Sequence, residues 1–288
     1  MAYNVKSKTD FTVFDGPEAY HSYISNCPAR YGQSRSYNRD EFYGDDLETA
    51  KRSLANGHMK YLERAQALID KMADANVFAS HQPQLEAAMV GFVPNVPAAL
   101  AGQPYDMWNI TQSEEQAITT PINIYVETLV SGGVSQDELI ARGVCVMAFV
   151  LAMNNIRPVE LYTICIGKPS YSNKSSGVVV RVPSKPLDIQ RAGFMLCDPA
   201  YYRRLAFMAI CEQAKVSYND AGMLCWPWDN APTTSTHEPM MRELLDMDPE
   251  DVFIPGGYLF DELMRRDPVQ WVKNKIKEHT GSQQIEEC

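Results

Sequence analysis

In the middle of the chain, the apolar positions predict a β-strand, a helix and a second strand in succession. Residues 122–130 are almost all apolar, which is typical of a strand that is covered on both faces. Residues 136–155 carry apolar side chains at helical spacing, and residues 159–166 form a second apolar run. A strand–helix–strand unit of this kind favours an α/β architecture with a mainly parallel sheet.

Polar residues at the expected helix ends support these elements. Ser135 and Glu138 have the spacing of a capping box, so the central helix is expected to begin at Gln136. Residues 178–180 predict a third strand that pairs with the second, and residues 252–254 predict a short last strand. Three Asp-Pro pairs each combine a capping residue with a proline suited to the first helical turn, and each predicts a helix start: Asp198-Pro199, Asp248-Pro249 and Asp267-Pro268.

The first third of the chain has a different pattern. Residues 11–14 alternate like a short strand, and two helices are expected between residues 46 and 73. Residues 82–109 contain four prolines and predict irregular chain that packs across the domain. We therefore expect a helical and irregular N-terminal region at residues 1–110, packed on the core, and an α/β domain at residues 111–288. The predicted fold class is α/β, with a mixed, mainly parallel sheet flanked by helices.

The composition argues against several classes of protein. The 288 residues carry 26 basic and 36 acidic side chains, a net charge of −10, which disfavours a general binder of nucleic acid or of anionic membranes. A local basic patch stays compatible with that charge. No apolar run is long enough to span a bilayer, and the N-terminus lacks the apolar core of a signal peptide. The seven cysteines show no Cys-x-x-Cys pair, so we expect a cytoplasmic protein without disulfides or a zinc ribbon.

The end of the first central strand carries the pattern that comes nearest to a known site. Residues 127–131 have the sequence Glu-Thr-Leu-Val-Ser and lead into the capped helix. This arrangement resembles the von Willebrand factor A-like (VWA-like) fold, whose metal-ion-dependent adhesion site has Asp-x-Ser-x-Ser after its first strand. Here glutamate replaces the aspartate, and leucine replaces the middle serine. The resemblance implies a VWA-like or Rossmann-like sheet, with Glu127 and Ser131 as candidate ligands for Mg²⁺. The alternative is that Glu127 pairs with a basic residue and Ser131 serves the turn.

A second resemblance extends over most of the chain. Its most specific part is the proline-rich block Gly91-Phe92-x-Pro94-x-Val96-Pro97-x-x-Leu100-x-Gly102-x-Pro104-x-x-Met107-Trp108. The other residues that carry it are Phe42, Gly44, Ala50, Leu54, Gly57, Arg142, Gly143, Val159, Glu160, Leu161, Asp198, Pro199, Arg203 and Arg204. On these residues, the chain is similar to a family of uncharacterised phage and prophage proteins. The resemblance implies a phage protein of the host cytoplasm and no particular activity.

Basic residues form two candidate binding groups. Arg203 and Arg204 are adjacent, one turn into the helix expected after Pro199, and Lys168 and Lys174 lie close to the second and third central strands. Both groups suit a phosphate, a nucleic acid or a protein partner. The alternatives are an arginine that pairs with a nearby carboxylate, and lysines that protect a hairpin from edge pairing.

Motifs for catalysis are weak. The Ser-Gly-Gly sequence at residues 131–133 matches neither a dinucleotide-binding loop nor a loop that binds a nucleoside triphosphate. No serine lies in a Gly-x-Ser-x-Gly nucleophile elbow. The five histidines are scattered, and a long loop is expected at residues 217–236. His237 and Glu238 could form a ligand pair, but His237 is interpreted as an exposed histidine in a loop rich in threonine, serine and proline.

Three functional hypotheses follow. The first is an accessory protein that binds a phage or host protein and has no catalytic motif. The second is a metal-dependent hydrolase or nuclease whose carboxylates are dispersed in the sequence, for example Glu127 with Asp198 or Asp251. The third is a nucleic-acid-binding accessory protein that uses the local basic groups.

Overall fold

The fold is built from strands and helices that lie mostly outside the proline-rich block. The computed structural model describes residues 9–28, 40–75, 77, 84–88, 93–94, 100, 102, 107–111, 120–129, 133–167, 175–215, 234–256 and 261–280. The strands in these ranges are β1 (Thr9–Phe14), β2 (Gln84–Ala88), β3 (Val93–Pro94), β4 (Met107–Thr111), β5 (Ile122–Glu127), β6 (Val159–Gly167), β7 (Ser175–Val182) and β8 (Val252–Ile254).

The helices alternate with the strands of the C-terminal half and dominate the N-terminal part. They are α1 (Pro17–Asn26), α2 (Asp40–Tyr43), α3 (Leu47–Asn56), α4 (Leu62–Asp74), α5 (Gln136–Asn154), α6 (Ile189–Cys197), α7 (Phe207–Ala214), α8 (Thr234–Leu245), α9 (Leu263–Arg266) and α10 (Pro268–Thr280). A turn of 3₁₀-helix at Met59–Tyr61 leads into α4, and a π-helical stretch at Tyr201–Ala206 leads into α7. None of the helices in the described ranges combines the length and apolarity that a membrane span requires.

The main sheet has five strands in the order β1-β7-β6-β5-β8. The pairings β1–β7, β6–β5 and β5–β8 are parallel, and only the hairpin β6–β7 is antiparallel. Helices flank this sheet, so the prediction of an α/β fold with a mixed, mainly parallel sheet is confirmed. The predicted short N-terminal strand is confirmed as β1, and it belongs to the same sheet as the central strands.

Local sequence signals explain the best-predicted helices. Ser135 and Glu138 form the capping box at the start of α5, where the Ser135 amide donates to the Glu138 carboxylate over 2.8 Å. Asp46 caps α3 by accepting from the amides of the second and third helical residues, and Gly57 ends that helix with a positive φ of 80°. Asp267 precedes α10, as its Asp-Pro pair predicts.

Helix α5 is the centre of the larger core. Its buried residues run along almost its whole length, and they pack with the inward-facing residues of the central strands, such as Ile124, Leu161 and Val180. Gly143 lets α6 approach closely, because a Cβ atom at this position would lie 2.4 Å from the Cys197 sulfur and 2.7 Å from the Leu196 carbonyl oxygen. The sheet is therefore fixed to one helix that leads directly from β5 to β6.

Several local predictions were wrong. Asp248-Pro249 starts a turn and not a helix: the Asp251 amide donates to the Asp248 carbonyl oxygen over 3.0 Å, and the chain enters β8 at Val252. The predicted loop at residues 217–236 runs into α8, which begins at Thr234, and residues 216–233 lie outside the described ranges. Helix α6 was not predicted.

The proline-rich segment contains more regular structure than its sequence predicts. Strands β2, β4 and β3 form a second, antiparallel sheet in that order, in which Leu85 pairs with Ile110. The prolines fall outside β2 and β4, and Pro94 lies in β3 at the sheet edge, where a missing amide donor is tolerated. The segment was predicted to be irregular and partly extended: the extended part is confirmed by these strands, and their pairing in a sheet was not predicted.

Candidate functional site

The strand order creates a topological switch point between β5 and β8. From β5 the chain passes through α5 to β6 on one side, and it returns much later to form β8 on the other side. Strands β6 and β8 both run parallel to β5, so the carboxyl ends of all three strands lie at the same edge of the sheet. In open α/β sheets, ligands bind in the crevice at such a point.

Glu127 is the last residue of β5, and its carboxylate lies at this switch point. The side chain is 0% exposed. Its Oε2 atom accepts a hydrogen bond from the Gly256 amide at 2.9 Å and lies 2.7 Å from Nε2 of His237. Its Oε1 atom makes no hydrogen bond in the described part of the chain. The alternative that Glu127 is half-buried and pairs with a basic residue is confirmed for the pairing, with a histidine as the partner, but the expected half-burial was wrong.

His237 reaches Glu127 from the first turn of α8. Its ring is 1% exposed and lies with its centroid 5.6 Å from the ring of Phe253 in β8. Farther along α8, Met241 and Leu244 pack in the small apolar cluster on the same face of the sheet. With the carboxylate ionised, Nε2 carries the proton and donates it in this hydrogen bond. The interpretation of His237 as an exposed loop histidine was wrong.

Glycine is the residue type that fits at position 256, beside Glu127. A Cβ atom there would lie 2.2 Å from the Leu129 carbonyl oxygen and 2.9 Å from that of Glu127. Both atoms belong to the backbone, so neither moves aside easily. The missing side chain lets the backbone after β8 come close enough for its amide to reach the buried carboxylate.

Arg142 ties the ends of β5 and β8 together from the other side of the sheet. It projects from α5 and is 3% exposed. Its Nη2 atom donates to the carbonyl oxygens of Glu127 at 2.7 Å, Pro255 at 2.8 Å and Ile254 at 3.2 Å. Burial lowers the pKa of this guanidinium to about 10, and the Glu127 charge opposes that shift. A buried cation and a buried carboxylate thus share one strand end.

We call Glu127, His237, Gly256 and Arg142 the switch-point cluster. It joins β5, α5, α8 and the turn after β8 through hydrogen bonds that all converge on the end of one strand. A carboxylate that orients a histidine is also an arrangement used for proton transfer and for metal binding. In this cluster, both groups are sealed from solvent.

The described residues do not fit a Mg²⁺ ion. Among them, no three His, Cys, Asp or Glu side chains come together as a metal site. Mg²⁺ keeps several water molecules, and the fully buried Glu127 has no exposed surface beside which they could lie. The second candidate ligand, Ser131, lies outside the described residues, so a metal site that includes it stays a prediction.

The dispersed carboxylates do not gather at Glu127. Asp251 accepts a hydrogen bond from the Asn123 amide at 3.0 Å, which places it near the amino end of β5, while Glu127 lies at the carboxyl end. Asp198 accepts from the Tyr61 hydroxyl at 2.6 Å and from the Ala200 amide at 2.8 Å. These bonds give Asp198 a role at the junction of the N-terminal helices with the π-helical stretch.

Arg203 and Arg204, two of the basic candidates, also make contacts within the fold. Arg203 is buried, stacks 3.9 Å from the centroid of the Phe42 ring and donates to the Phe42 carbonyl. Arg204 lies 5.4 Å from the centroid of the Tyr43 ring. Both therefore pack against α2, and phosphate or partner binding by them stays a prediction. Lys168 and Lys174 lie outside the described residues.

His237 is the functional candidate that sequence reasoning missed. It is 110 residues from Glu127, and no local spacing connects the two. Its neighbours are threonine, serine and proline, which are typical of a loop, and Pro239 lies inside the helix. Only the strand order brings the two side chains together.

Comparison with known proteins gives a family and no function. A family model described as "Domain of unknown function (DUF7192)" matches residues 5–282. The chain belongs to this family. The DUF7192 match extends over everything described between β1 and α10, so the switch-point cluster lies within it. No curated protein and no solved structure matches the chain.

Proposed function

We propose that this DUF7192 protein is a phage-encoded accessory protein of the cytoplasm, in which a VWA-like scaffold binds a phage or host protein. The observation that carries the proposal is the use of the switch-point cluster for internal bonds. Glu127 and His237 are directed at each other, and Arg142 is directed at three backbone carbonyls. The described polar groups at the usual ligand position thus hold the fold together, which favours a scaffold over a catalyst.

Two further features support parts of this proposal. The unit β5–α5–β6, followed by the antiparallel strand β7, agrees with the VWA-like interpretation of the sequence. The proline-rich block supports the phage origin through its resemblance to phage and prophage proteins.

The test is a search for a stoichiometric partner. The full chain, with an affinity tag, is expressed in host cells with and without phage infection, and co-purified proteins are identified. We expect at least one of them, once purified, to form a defined complex with the chain in size-exclusion chromatography coupled to light scattering. If no captured protein forms a complex from purified components, the proposal is wrong.

One observation favours the metal-dependent alternative. The Oε1 atom of Glu127 is a buried acceptor without a hydrogen bond, and a cation would satisfy it. Calorimetric titration with Mg²⁺ and Mn²⁺ tests this alternative on the wild type and on Glu127→Gln. Saturable binding by the wild type that Glu127→Gln abolishes would support a metal site at Glu127, as the hydrolase alternative and the adhesion-site version of the scaffold both require. We expect no saturable binding by either protein.

A further inference from the structure

A small cavity lies in the interior of the protein, beside the carboxyl end of β5. Helices α5 and α6 and the start of the π-helical stretch form its other walls. The residues that line it are all buried: Thr128, Leu139, Arg142, Met195, Leu196, Cys197, Asp198, Pro199 and Tyr202. The cavity adjoins the switch-point cluster, because Arg142 belongs to both.

The size of the cavity suits a single water molecule. The space that is open to the centre of a water-sized sphere is about 10 Å³. One water molecule needs about 10–15 Å³ by this measure. A phosphate, a nucleotide or any other molecule of several heavy atoms is larger and would have to push the walls apart. Monatomic ions are the other ligands of this size.

Arg142 has more hydrogen-bond donors than its carbonyl partners use. A guanidinium carries five N–H groups, and two of them are on Nη2. All three bonds to the carbonyl oxygens at the ends of β5 and β8 leave from Nη2. The Nε atom is buried and has no acceptor among the residues that the structure describes. Native proteins satisfy such a buried donor with a protein group or with an ordered water molecule.

Asp198 and Thr128 supply acceptors on the cavity wall. Asp198 accepts from the Ala200 amide at 2.8 Å through Oδ1 and from the Tyr61 hydroxyl at 2.6 Å through Oδ2. Each carboxylate oxygen has about two lone pairs, so both oxygens can accept a second hydrogen bond. The Thr128 hydroxyl donates to the Ile164 carbonyl at 3.0 Å and keeps its lone pairs as acceptors. The wall therefore offers a donor on one residue and acceptors on two others.

The charges on the wall distinguish water from an ion. Arg142 repels a cation, and Asp198 repels an anion. Both charges act at the cavity: burial raises the pKa of the Cys197 thiol on the wall, the Asp198 charge adds to that shift and the Arg142 charge opposes it. A neutral molecule that both accepts and donates hydrogen bonds suits such a wall, and water is the one of this size.

We infer that the cavity holds a water molecule, which accepts a hydrogen bond from Arg142 and donates to Asp198 and Thr128. A buried water molecule makes about three hydrogen bonds, which is the number that these residues provide. The water connects the switch-point cluster to Asp198, and through Tyr61 to the 3₁₀ turn before α4. It is thus a fixed part of the junction between the sheet and the N-terminal helices. The inference does not depend on the proposed partner.

A high-resolution crystal structure of the full chain, with a second crystal soaked in bromide, tests this inference directly. We expect one peak of electron density in the cavity, about 2.7–3.2 Å from a nitrogen of Arg142 and from an oxygen of Asp198. We expect no anomalous signal from bromide at that position. An empty cavity, or a bromide ion inside it, would overturn the inference.

Nuclear magnetic resonance tests for the same water molecule in solution. The Nε–H proton of Arg142 should give a cross-peak with water in a rotating-frame experiment, in which dipolar contact and chemical exchange have opposite signs. Arg157 is the control, because its Nε donates to the Thr120 carbonyl at 3.0 Å and its side chain is only 4% exposed. A dipolar cross-peak that is no stronger for Arg142 than for Arg157 would contradict the inference.

Two matched variants locate the water molecule. Leu139→Phe enlarges a side chain on the cavity wall, so it should displace the water and abolish the Arg142 cross-peak. Leu151→Phe makes the same change on α5 at a partly buried position away from the cavity wall, so it should keep the cross-peak. An unchanged cross-peak in folded Leu139→Phe would place the water elsewhere and overturn the inference. If Leu139→Phe does not fold, the electron density and the cross-peak of the wild type decide.

Discussion

The buried pair of Glu127 and His237 gives the sharpest prediction about stability. In His237→Leu, the Glu127 carboxylate keeps the Gly256 amide as a partner but loses the imidazole, and it stays 0% exposed. Loss of a hydrogen-bond partner from a buried group costs about 1–3 kcal/mol, and more when the group is charged. A chain of 288 residues has an unfolding entropy of about 0.6 kcal/mol/K, so a loss of about 3 kcal/mol lowers the melting temperature by roughly 5 °C. Glu127→Met leaves the imidazole and the Gly256 amide without their acceptor and removes the carboxylate near Arg142, so it is expected to cost at least as much.

The double variant decides whether the pair acts as a unit. With Glu127→Met and His237→Leu together, apolar side chains fill the space of the pair. The Gly256 amide then lacks its acceptor, and Arg142 keeps its three carbonyl acceptors but loses the neighbouring carboxylate. Both of these losses are already present in Glu127→Met, so the double variant should lose less than the sum of the two single losses. Urea unfolding followed by circular dichroism measures each free energy, with equal m-values as the check on two-state behaviour.

An exposed ion pair provides the control. Arg64 and Asp137 lie 3.1 Å apart with both side chains exposed, and Arg64→Gln is expected to cost less than about 1 kcal/mol. The reasoning is refuted if His237→Leu costs no more than this control. It is also refuted if the double variant loses the sum of the two single losses, because the two side chains would then act independently.

Two further predictions concern packing and pH. Gly143→Ala is expected to destabilise the protein by about 1–3 kcal/mol, because its Cβ would lie 2.4 Å from the Cys197 sulfur. Gly193→Ala, whose Cβ has its nearest contact at 3.8 Å, should stabilise α6 by about 0.5–1 kcal/mol. Thermal unfolding that shifts in the same direction for both variants would contradict the packing argument. Hydrogen bonds from Ser135 lower the pKa of Glu138 below its ordinary 4.5. The contribution of these bonds to the free energy of unfolding is therefore present above pH 4.5, and it is lost as the pH falls through the pKa of Glu138 in the folded protein. Ser135→Ala should therefore cost about 1 kcal/mol near neutral pH and less well below pH 4.5, and a pH-independent difference in urea unfolding would argue against the capping box as its cause.

The sequence predicted those parts of the fold that local patterns determine. Strand β5 and helix α5 follow from an apolar run and a capped helical repeat, and both elements are where these signals place them. Helix α6 was missed because residues 192–197 are apolar without a break, which hides the helical period. Asp248-Pro249 misled because the bond from the Asp251 amide to the Asp248 carbonyl oxygen closes a single turn, and β8 begins at the next residue.

The candidate site was predicted only in part, because Glu127 and His237 are far apart in the sequence. Glu127 was identified because it ends a strand that the sequence makes obvious. His237 was not, since its role depends on where β8 and α8 pack against β5, and no pattern near residue 237 carries that information.

The position of β1 has a consequence for synthesis of the protein on the ribosome. Thr9 pairs with Ser175, which follows it by 166 residues, so the first strand has no partner strand until β7 has been made. At about 5–20 residues per second, the interval is roughly 10–30 s. During that time Phe11, Val13 and Phe14 belong to a nascent segment that has no sheet to join. Helices α1, α3 and α4 are synthesised in this interval, so β1 can join its sheet only after the segments of these helices have been made.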